Sequence, residues 1–348
     1  MDFKICVISE RLSKNFDDGI KNISFNLIKE LSKKYKVLGL SEWEELPEYS
    51  IKKFKSNRFY ISLNLSREIK KFRPNIIFYI PWTSATIRTF FRTKMLKFYK
   101  SDAKVVLFAV QPSKYSFFSE KFIPYLAPDL TIVQSKETLK KLKKLGMNVR
   151  FIPNGVDLKK FIPVPDTNTK INLRKKWGLP KDKFIILHVG HIEKNRLDKN
   201  LLESIQKNKQ NQVLVVGSPH TPQDINLLKN LKMIGVEIIP NYIDKIEEIY
   251  QLSDCYLFPV ISPVACVGIP LSILEAMACN LPIISTKFQG LPLIFKEQKD
   301  FLYAETGKEI LDAIEKIKKI DVIKTRELVE SLSWEDVVNR ILFESLNI

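Results

Sequence analysis

The sequence has few of the side chains that build metal or redox sites. Among 348 residues there are three histidines and four cysteines, and neither type recurs at the short spacing of a structural zinc site. We therefore expect no metal site. The cysteines also lack the paired spacing of a disulfide framework, so we interpret them as reduced core residues of a cytoplasmic protein: Cys6, Cys255, Cys266 and Cys279.

The sequence also lacks an unbroken apolar run that could form one membrane-spanning helix. Residues 255–274 carry no charge and are long enough to cross a bilayer, but they contain Pro259, Pro263 and Pro270. Three prolines break a single helix, so we predict a buried strand, an ordered loop and the start of a helix. The first residues form a short apolar strand without the pattern of a signal peptide.

Acidic residues are scarce in the first half of the chain. Residues 1–165 hold 32 Lys and Arg against 15 Asp and Glu, whereas residues 166–348 hold 24 of each, so the net charge of +17 lies in the first half. This asymmetry indicates a polyanionic partner, either nucleic acid or an anionic membrane surface. We find no nucleic-acid-binding motif, which favours the membrane.

One basic segment of that half is a candidate for the membrane contact. Residues 87–100 place apolar side chains at helical spacing between basic ones. The candidates for facing the membrane are Arg88, Phe91, Arg92, Met95 and Phe98. A core-facing helix with solvated lysines is the alternative, and the sequence leaves both open.

Short strands alternate with amphipathic helices along the whole chain, which predicts an α/β protein with parallel sheets. We predict two doubly wound, Rossmann-like domains at residues 1–162 and 163–330, with a linker at residues 163–172. We also expect a helix over residues 322–332, and residues 331–348 form a last helix. In such sheets ligands bind beyond the carboxyl ends of the strands.

Residues 266–292 are the most informative stretch. They predict a helix that begins at Pro270 and carries Glu275 as its only acid, followed by a strand at Ile283–Ser285. A carboxylate on an otherwise apolar helix needs solvent or hydroxyl partners, and a ribose would supply them. The first-turn N–H groups of Leu271 and Ser272 favour anions or hydroxyl oxygens.

This stretch resembles the nucleotide-sugar signature of family-4 glycosyltransferases, in which a Glu-x7-Glu motif precedes Ala-Met-Ala-x-Gly-x-Pro-Val. The order of the other motifs resembles the same family: Asp17–Asn22, Ile152–Asp157, Val189–Arg196, Gly217-Ser218, Ser253–Pro259 and Ser333–Glu335. The resemblance implies the GT-B fold, with two Rossmann-like domains facing across a cleft and the last helix crossing back to the first domain.

The resemblance assigns roles to particular residues. Glu275 should hold the donor ribose, and Arg196 and His191 should bind the diphosphate, although a surface arginine paired with Glu193 or Asp198 is the alternative. Gln111 falls beside the transferred sugar. Four further residues are candidate ligand contacts: Gly19, Lys21, Asp17 and Tyr242. A plain helix-entry glycine and an ordinary loop aromatic are the alternatives for Gly19 and Tyr242. The family's first glutamate is Val267 here, the usual glycine is Pro270, and Gln111 replaces a histidine.

Two functions follow from this combination. The first is a metal-independent retaining glycosyltransferase at the inner face of the cell membrane, without cofactor. It would move a hexose from a UDP- or GDP-linked donor to a lipid-linked or glycan acceptor. The second is a protein that binds nucleotide sugar with weak or no transferase activity and acts as a scaffold or partner subunit, because Val267, Gln111 and Pro270 alter the sugar site.

Overall fold

A computed structural model of the chain describes residues 3–14, 18–113, 115–217 and 223–348. The chain forms two compact units. The first contains Met1–Gly155, Cys266–Ile269 and Trp334–Ile348, and the second contains Val156–Ala265 and Pro270–Ser333. The short segment Cys266–Ile269 joins the first unit although the surrounding sequence folds in the second, which no feature of the sequence indicated.

The first unit is a parallel sheet of seven strands covered by helices. Its elements are β1 (Lys4–Ser9), α1 (Gly19–Ser32), β2 (Lys36–Ser41), β3 (Ile51–Lys53), α2 (Leu63–Phe72), β4 (Ile76–Ile80), α3 (Ile87–Tyr99), β5 (Lys104–Ala109), α4 (Phe117–Phe122), β6 (Leu130–Val133), α5 (Lys136–Lys144) and β7 (Val149–Phe151). The strand order is β3-β2-β1-β4-β5-β6-β7. Because β1 lies inside the sheet and the chain winds outward from it in both directions, the order reverses between β1 and β4.

The second unit repeats this architecture with six parallel strands. It contains α6 (Thr167–Lys176), β8 (Phe184–Val189), α7 (Lys199–Gln206), β9 (Asn211–Val216), α8 (Ile225–Met233), β10 (Glu237–Ile239), α9 (Ile246–Leu252), β11 (Cys255–Phe258), α10 (Leu271–Ala278), β12 (Ile283–Ser285), α11 (Leu291–Ile294), β13 (Phe301–Tyr303) and α12 (Gly307–Ile317). The strand order is β10-β9-β8-β11-β12-β13, so the reversal lies between β8 and β11. Buried Val, Ile and Leu side chains fill both sheets, as parallel strands covered on two faces require.

The last helix, α13 (Trp334–Leu346), packs against α1 of the first unit. A Cβ atom on Gly155 would lie 2.7 Å from the Trp334 ring, so only glycine allows this approach. Arg150 forms an ion pair with Glu344 at 2.8 Å, and the Lys104 ammonium donates to the carbonyl of Leu346 at 2.8 Å. The chain therefore returns to its first unit at its end, in agreement with the expected crossing.

Three sequence predictions of local structure are wrong. The linker expected at residues 163–172 is partly helical: Asp166 caps α6 by accepting from the Thr169 N–H at 2.7 Å, and Arg174 docks the helix on Asp254 at 2.6 Å. The helix expected over residues 322–332 is a 3-10 helix at Thr325–Leu332. The helix expected from Pro270 begins at Leu271, with Pro270 as the capping residue in extended conformation.

The cysteines and the apolar segment follow the expected pattern. Cys6, Cys255 and Cys279 are buried and Cys266 is half-buried, all as free thiols. Within the described ranges, no helix combines the length and hydropathy that crossing a bilayer requires.

Candidate functional site

The carboxyl edge of the second sheet carries the residues that the nucleotide-sugar motif predicts. The helix α10 begins there, directly after the capping residue Pro270, which has no N–H and provides no side-chain cap. Leu271 and Ser272 form its first turn and are half-buried. The Tyr256 hydroxyl lies 2.7 Å from the Ser272 Oγ and 3.2 Å from the carbonyl of Val189, which connects the helix start to the end of β8. The first turn is thus held in place with its N–H groups directed at the edge of the sheet.

Glu275 lies one turn further along α10 and is half-buried. Its Oε2 accepts a hydrogen bond of 2.7 Å from the Tyr250 hydroxyl of α9. No described residue hydrogen-bonds to its Oε1, so that oxygen can accept from a ligand hydroxyl. Burial raises the pKa of the Glu275 carboxyl, while the Tyr250 hydrogen bond and the nearby Lys160 ammonium act in the opposite direction. The solvated surface acid that the sequence left as an alternative is not found.

Lys160 and Glu247 complete the charge balance around Glu275. Their side chains form an ion pair at 3.6 Å, and both act on the pKa of Glu275. Tyr250 is fully buried and packs edge-on against Phe161 with ring centroids 5.7 Å apart, so its hydroxyl is fixed relative to α10. The carboxylate is therefore oriented before any ligand arrives.

Arg196 is buried on the loop after β8 and does not pair with Glu193 or Asp198. Its Nε donates to the carbonyl of Ala265 at 3.1 Å, and its Nη2 donates to the same oxygen. A Cβ on Gly190 would lie 2.8 Å from Nη1 and 3.1 Å from the Nε2 of His188, so glycine makes room for the guanidinium. The remaining Nη1 donors face this glycine, where a phosphate oxygen can approach.

His188 was not predicted as part of the site. It is 1% exposed, and its Nδ1 lies 3.0 Å from the carbonyl of Leu257. Because a carbonyl only accepts, Nδ1 carries the proton and Nε2 is an acceptor, which has no partner among the described residues. Burial lowers the pKa of His188 to about 4, and the Arg196 charge acts in the same direction. His188 is therefore neutral at pH 7.

The predicted contacts of the first unit lie around the start of α1. Asp18 caps the helix by accepting from the Ile20 N–H at 2.7 Å, and Gly19 is its first residue. A Cβ on Gly19 would lie 3.2 Å from the Val267 side chain. The position that is glutamate in the resembling family thus packs its apolar side chain against the entry of α1.

The segment Cys266–Ile269 is fastened to the first unit by backbone contacts. The Gly268 N–H donates to the carbonyl of Val110 at 2.6 Å, and the Asn154 amide donates to the carbonyl of Ile269 at 2.6 Å. A Cβ on Gly268 would lie 2.5 Å from the carbonyl oxygen of Gln134. Val267 is therefore held next to Gly19 by its neighbours on both sides. Gln111 follows β5. Its backbone N–H donates to Ser84 Oγ at 3.2 Å, which ties it to the loop after β4.

The remaining candidates are placed as follows. Lys21 is 4% exposed, with its ammonium 5.4 Å from the Trp43 ring centroid. His191 is half-buried on the loop that leads from β8 to Arg196, and Tyr242 is 43% exposed after β10. Asp17 and Ser218 of the motifs lie outside the described residues.

The expectation that Arg92 faces a membrane is wrong. Arg92 is 5% exposed, and its guanidinium pairs with the buried Glu10 and donates to the Tyr79 hydroxyl at 2.8 Å. Met95 packs on the core and Phe91 packs on Phe59 with centroids 5.5 Å apart. Arg88 is half-buried, and Phe98 is 75% exposed. The basic-aromatic spacing could not reveal this, because it does not show that Glu10, directly after β1, is buried and pairs with Arg92.

Sequence reasoning also missed Tyr250, which fixes Glu275. Tyr250 lies on the buried face of α9 with Ile249 and Leu252 and resembles an ordinary core residue, and only the contact to Glu275 distinguishes it. The cluster of Arg11, Trp43 and Trp82 was missed as well. Each follows a different strand, and a signal was available in principle because all three strands end at one edge of the sheet.

Comparison with known proteins agrees with this architecture. Residues 169–331 match the family model of glycosyl transferases group 1. A UDP-Gal:alpha-D-GlcNAc-diphosphoundecaprenol alpha-1,3-galactosyltransferase of Escherichia coli is 24% identical over 237 residues, which cover 58% of each chain. The chain spans about half the length of the curated relatives it matches.

Solved structures resemble the chain over nearly its whole length. Anabaena Alr3699/HepE in complex with UDP has a TM-score of 0.78 at 14% identity, covering 99% of this chain and 100% of that one. A glycosyltransferase from Rickettsia africae has a TM-score of 0.79 at 16% identity, covering 99% and 98%. At these identities the likeness shows the fold, and it confirms the predicted GT-B class with its two Rossmann-like domains. Through the match over residues 169–331, the second unit of the chain is similar to group 1 glycosyl transferases.

Proposed function

We propose that the protein is a retaining glycosyltransferase. It moves a hexose from a UDP- or GDP-linked donor to a lipid-linked or glycan acceptor. The observation that carries this proposal is the carboxylate of Glu275, half-buried, oriented by Tyr250 at 2.7 Å and placed in the segment that matches the family. UDP is present in the structure of the similar Anabaena protein, which supports a uridine nucleotide as the first donor to test.

The donor binds to the second unit in this proposal. Glu275 Oε1 accepts from the ribose hydroxyls. The first-turn N–H groups of Leu271 and Ser272 and the buried guanidinium of Arg196 hold the diphosphate, with His191 as an additional donor. Tyr242, exposed after β10, lies against the base. Pro270 removes one N–H from the helix start, so Arg196 supplies a larger share of the charge stabilisation than a glycine at position 270 would require.

The chemistry needs no protein nucleophile. The bond between the sugar C1 and the diphosphate oxygen breaks as the acceptor hydroxyl attacks from the same face. Its proton moves to the departing phosphate oxygen, and the anomeric configuration is retained. Gln111 hydrogen-bonds a hydroxyl of the sugar but cannot take a proton. Catalysis then consists of positioning and of stabilising the charge that develops on the diphosphate, without a metal ion.

A membrane surface is the proposed place of the reaction. The excess positive charge lies in the first half of the sequence, and the exposed large apolar side chains of the first unit include Phe98, Phe122 and Tyr125. Phe98 belongs to α3, which packs on the 3-10 helix Ile123–Leu126 that contains Tyr125. The Escherichia coli relative is named for an undecaprenol-linked acceptor, which supports an acceptor of that kind at the inner face of the cell membrane.

Thermal-shift screening against UDP, GDP and their common hexose conjugates tests the donor site. Ligand that binds the native state raises the melting temperature by mass action. We expect a shift with one nucleotide that is lost in Glu275→Ala and kept in Glu203→Ala, an acid of α7 outside the site. No shift with any nucleotide, or an undiminished shift in Glu275→Ala, would contradict the proposal. Product analysis with the binding donor then determines the anomeric outcome.

A second function is favoured by one observation, the apolar contact between Val267 and Gly19. If this contact replaces a sugar-binding carboxylate, the protein binds nucleotide sugar with weak or no transfer and acts as a scaffold or partner subunit. The double variant Val267→Glu/Gln111→His distinguishes the two. A gain of transfer supports a degenerate site, whereas a loss of activity already present in the natural protein supports the transferase with altered sugar contacts.

A further inference from the structure

A second group of ligand-type residues lies at the carboxyl edge of the first sheet. The strand order reverses between β1 and β4, and at such a reversal the connections leave in opposite directions and open a crevice. Arg11 follows β1, Trp82 follows β4 and Trp43 follows the neighbouring β2. None of these three residues belongs to the donor motifs of the second unit.

Hydrogen bonds fix the loops that carry these residues. Ser41 Oγ donates to the carbonyl of Leu12 at 3.0 Å and accepts from the Trp43 N–H at 3.1 Å, so the loops after β1 and β2 are joined. Ser84 Oγ donates to the carbonyl of Gln111, which joins the loop after β4 to the loop after β5. The three side chains are therefore presented by a rigid edge, as a preformed site requires.

The guanidinium of Arg11 stacks on two indoles. Its central carbon lies 4.0 Å from the Trp82 ring centroid and 5.1 Å from that of Trp43. Stacking occupies the faces of the guanidinium, while its N–H donors point outward in the plane. Among the described residues, no carboxylate lies within 4 Å of Arg11 and no acceptor takes its side-chain donors.

Glu10 and Glu42, which precede Arg11 and Trp43 in the sequence, do not neutralise Arg11. Glu10 is engaged by Arg92 and by the Tyr79 hydroxyl at 2.7 Å. Burial, together with the charge of Glu10, raises the pKa of Glu42 to about 7, so this carboxyl carries only part of its charge near neutral pH. The Lys21 ammonium adds positive charge 5.4 Å from the Trp43 ring. Trp43 itself is 45% exposed, which leaves indole surface for a ligand.

We propose that Arg11, Trp43 and Trp82 form a binding site for a sugar that carries an anionic group, and that this sugar is the acceptor. The guanidinium edge binds the anion in a bidentate manner, and the exposed indole of Trp43 packs against the apolar face of the sugar ring. The acceptor assignment rests on the proposed transferase function. Binding of the anionic sugar does not.

Tryptophan fluorescence of the full chain tests this site with glucose 1-phosphate as the probe, because two of the four tryptophans line it. We expect a saturable change with glucose 1-phosphate and at least tenfold weaker binding of glucose and of inorganic phosphate. Arg11→Gln should weaken the binding of glucose 1-phosphate at least tenfold. Arg58→Gln is the matched control, because Arg58 also stacks on an aromatic ring, Phe59, but lies on the exposed surface of the same unit.

Two further variants keep the test decisive if Arg11→Gln unfolds. Trp43→Leu changes an exposed side chain and should weaken the binding of glucose 1-phosphate severalfold. Trp177→Phe removes an indole of the second unit and should leave the affinity unchanged. Equal affinity in Arg11→Gln and the natural protein, or equal binding of glucose and glucose 1-phosphate, would overturn the proposal. Loss of UDP or GDP binding in Arg11→Gln would assign the cluster to the donor and overturn it as well.

Two arms separate this inference from the proposed function and identify the source of the anion. Glu275→Ala should lose nucleotide binding and keep glucose 1-phosphate binding. If the natural protein binds glucose 1-phosphate through Arg11 but no nucleotide sugar, the transferase function fails and the anionic-sugar site stands. Vesicles containing a polyprenyl diphosphate sugar, compared with free glucose 1-phosphate, show whether the anion comes from a lipid-linked or a soluble sugar, since the true source binds more tightly.

Discussion

The two units share one architecture but present different chemistry at the same edge. At the edge of the second sheet lie the carboxylate of Glu275, a buried arginine and a helix start. After the strands of the first sheet lie a buried ion pair, Glu10 with Arg92, and the stack of Arg11 on two indoles. We therefore propose a site for hydroxyls and diphosphate in one unit and a site for an anionic sugar in the other, because function resides in the loops after the strands.

The largest effect should come from breaking the buried ion pair of the first unit. Arg92→Met removes the partner of Glu10 and leaves its carboxylate buried among Tyr79 and Tyr60. We expect the free energy of unfolding to fall by roughly 3 to 5 kcal/mol, measured by urea denaturation. The double variant Arg92→Met/Glu10→Gln should recover part of the loss. A loss below about 1 kcal/mol in Arg92→Met would show that the pair is solvated.

A slightly smaller effect should appear in the second unit on acidification. The pKa of His188 is about 4 in the folded protein against an ordinary value of 6.5, so below pH 6.5 the unfolded chain binds a proton that the folded chain does not. Stability is therefore lost as the pH falls from 6.5 to 4, by on the order of 3 kcal/mol. In His188→Asn this loss should disappear, because asparagine does not titrate. The free energy of unfolding is measured by urea denaturation at each pH. An equal fall with pH in His188→Asn and in the natural protein would contradict the buried neutral imidazole.

Tyr250→Phe tests how much of the donor site depends on orientation rather than on Glu275 itself. Removing the hydroxyl should raise the pKa of Glu275 further, because the hydrogen bond that favours the carboxylate is lost. We expect donor affinity to fall about tenfold, which corresponds to one hydrogen bond to a charged group. Calorimetric titration measures it. Phe161→Leu, which alters only the packing against Tyr250, serves as the control and should change affinity less.

The smallest effect concerns Glu42 of the first unit. Its pKa is raised to about 7 in the folded protein, so the folded state holds the proton more strongly than the unfolded chain and loses stability as the pH rises from about 4.5 to 7. Glu42→Gln should raise the melting temperature at pH 8 by a few degrees and leave it nearly unchanged at pH 4. An equal shift of the melting temperature at both pH values would show that the pKa of Glu42 is not raised.

Much of the fold could be predicted from the sequence because its parallel strands are buried on both faces. Continuous apolar runs such as Ile76–Ile80 and Ile283–Ser285 coincide with β4 and β12. Short edge strands gave no such signal, and β3 and β13 were missed. The helix α6 was missed because its stability comes from Arg174 on Asp254, a contact between residues distant in sequence.

The candidate site divides in the same way. The sequence by itself determined that a helix with one acid starts next to Pro270 and that Arg196 follows a strand, because local spacing and charge fix these features. Only the tertiary structure decided which partners those residues meet: Tyr250 on Glu275, the Ala265 carbonyl on Arg196, Glu10 on Arg92 and two indoles on Arg11. Parallel strands bring residues far apart in sequence to one edge, and no periodicity records which of them become neighbours.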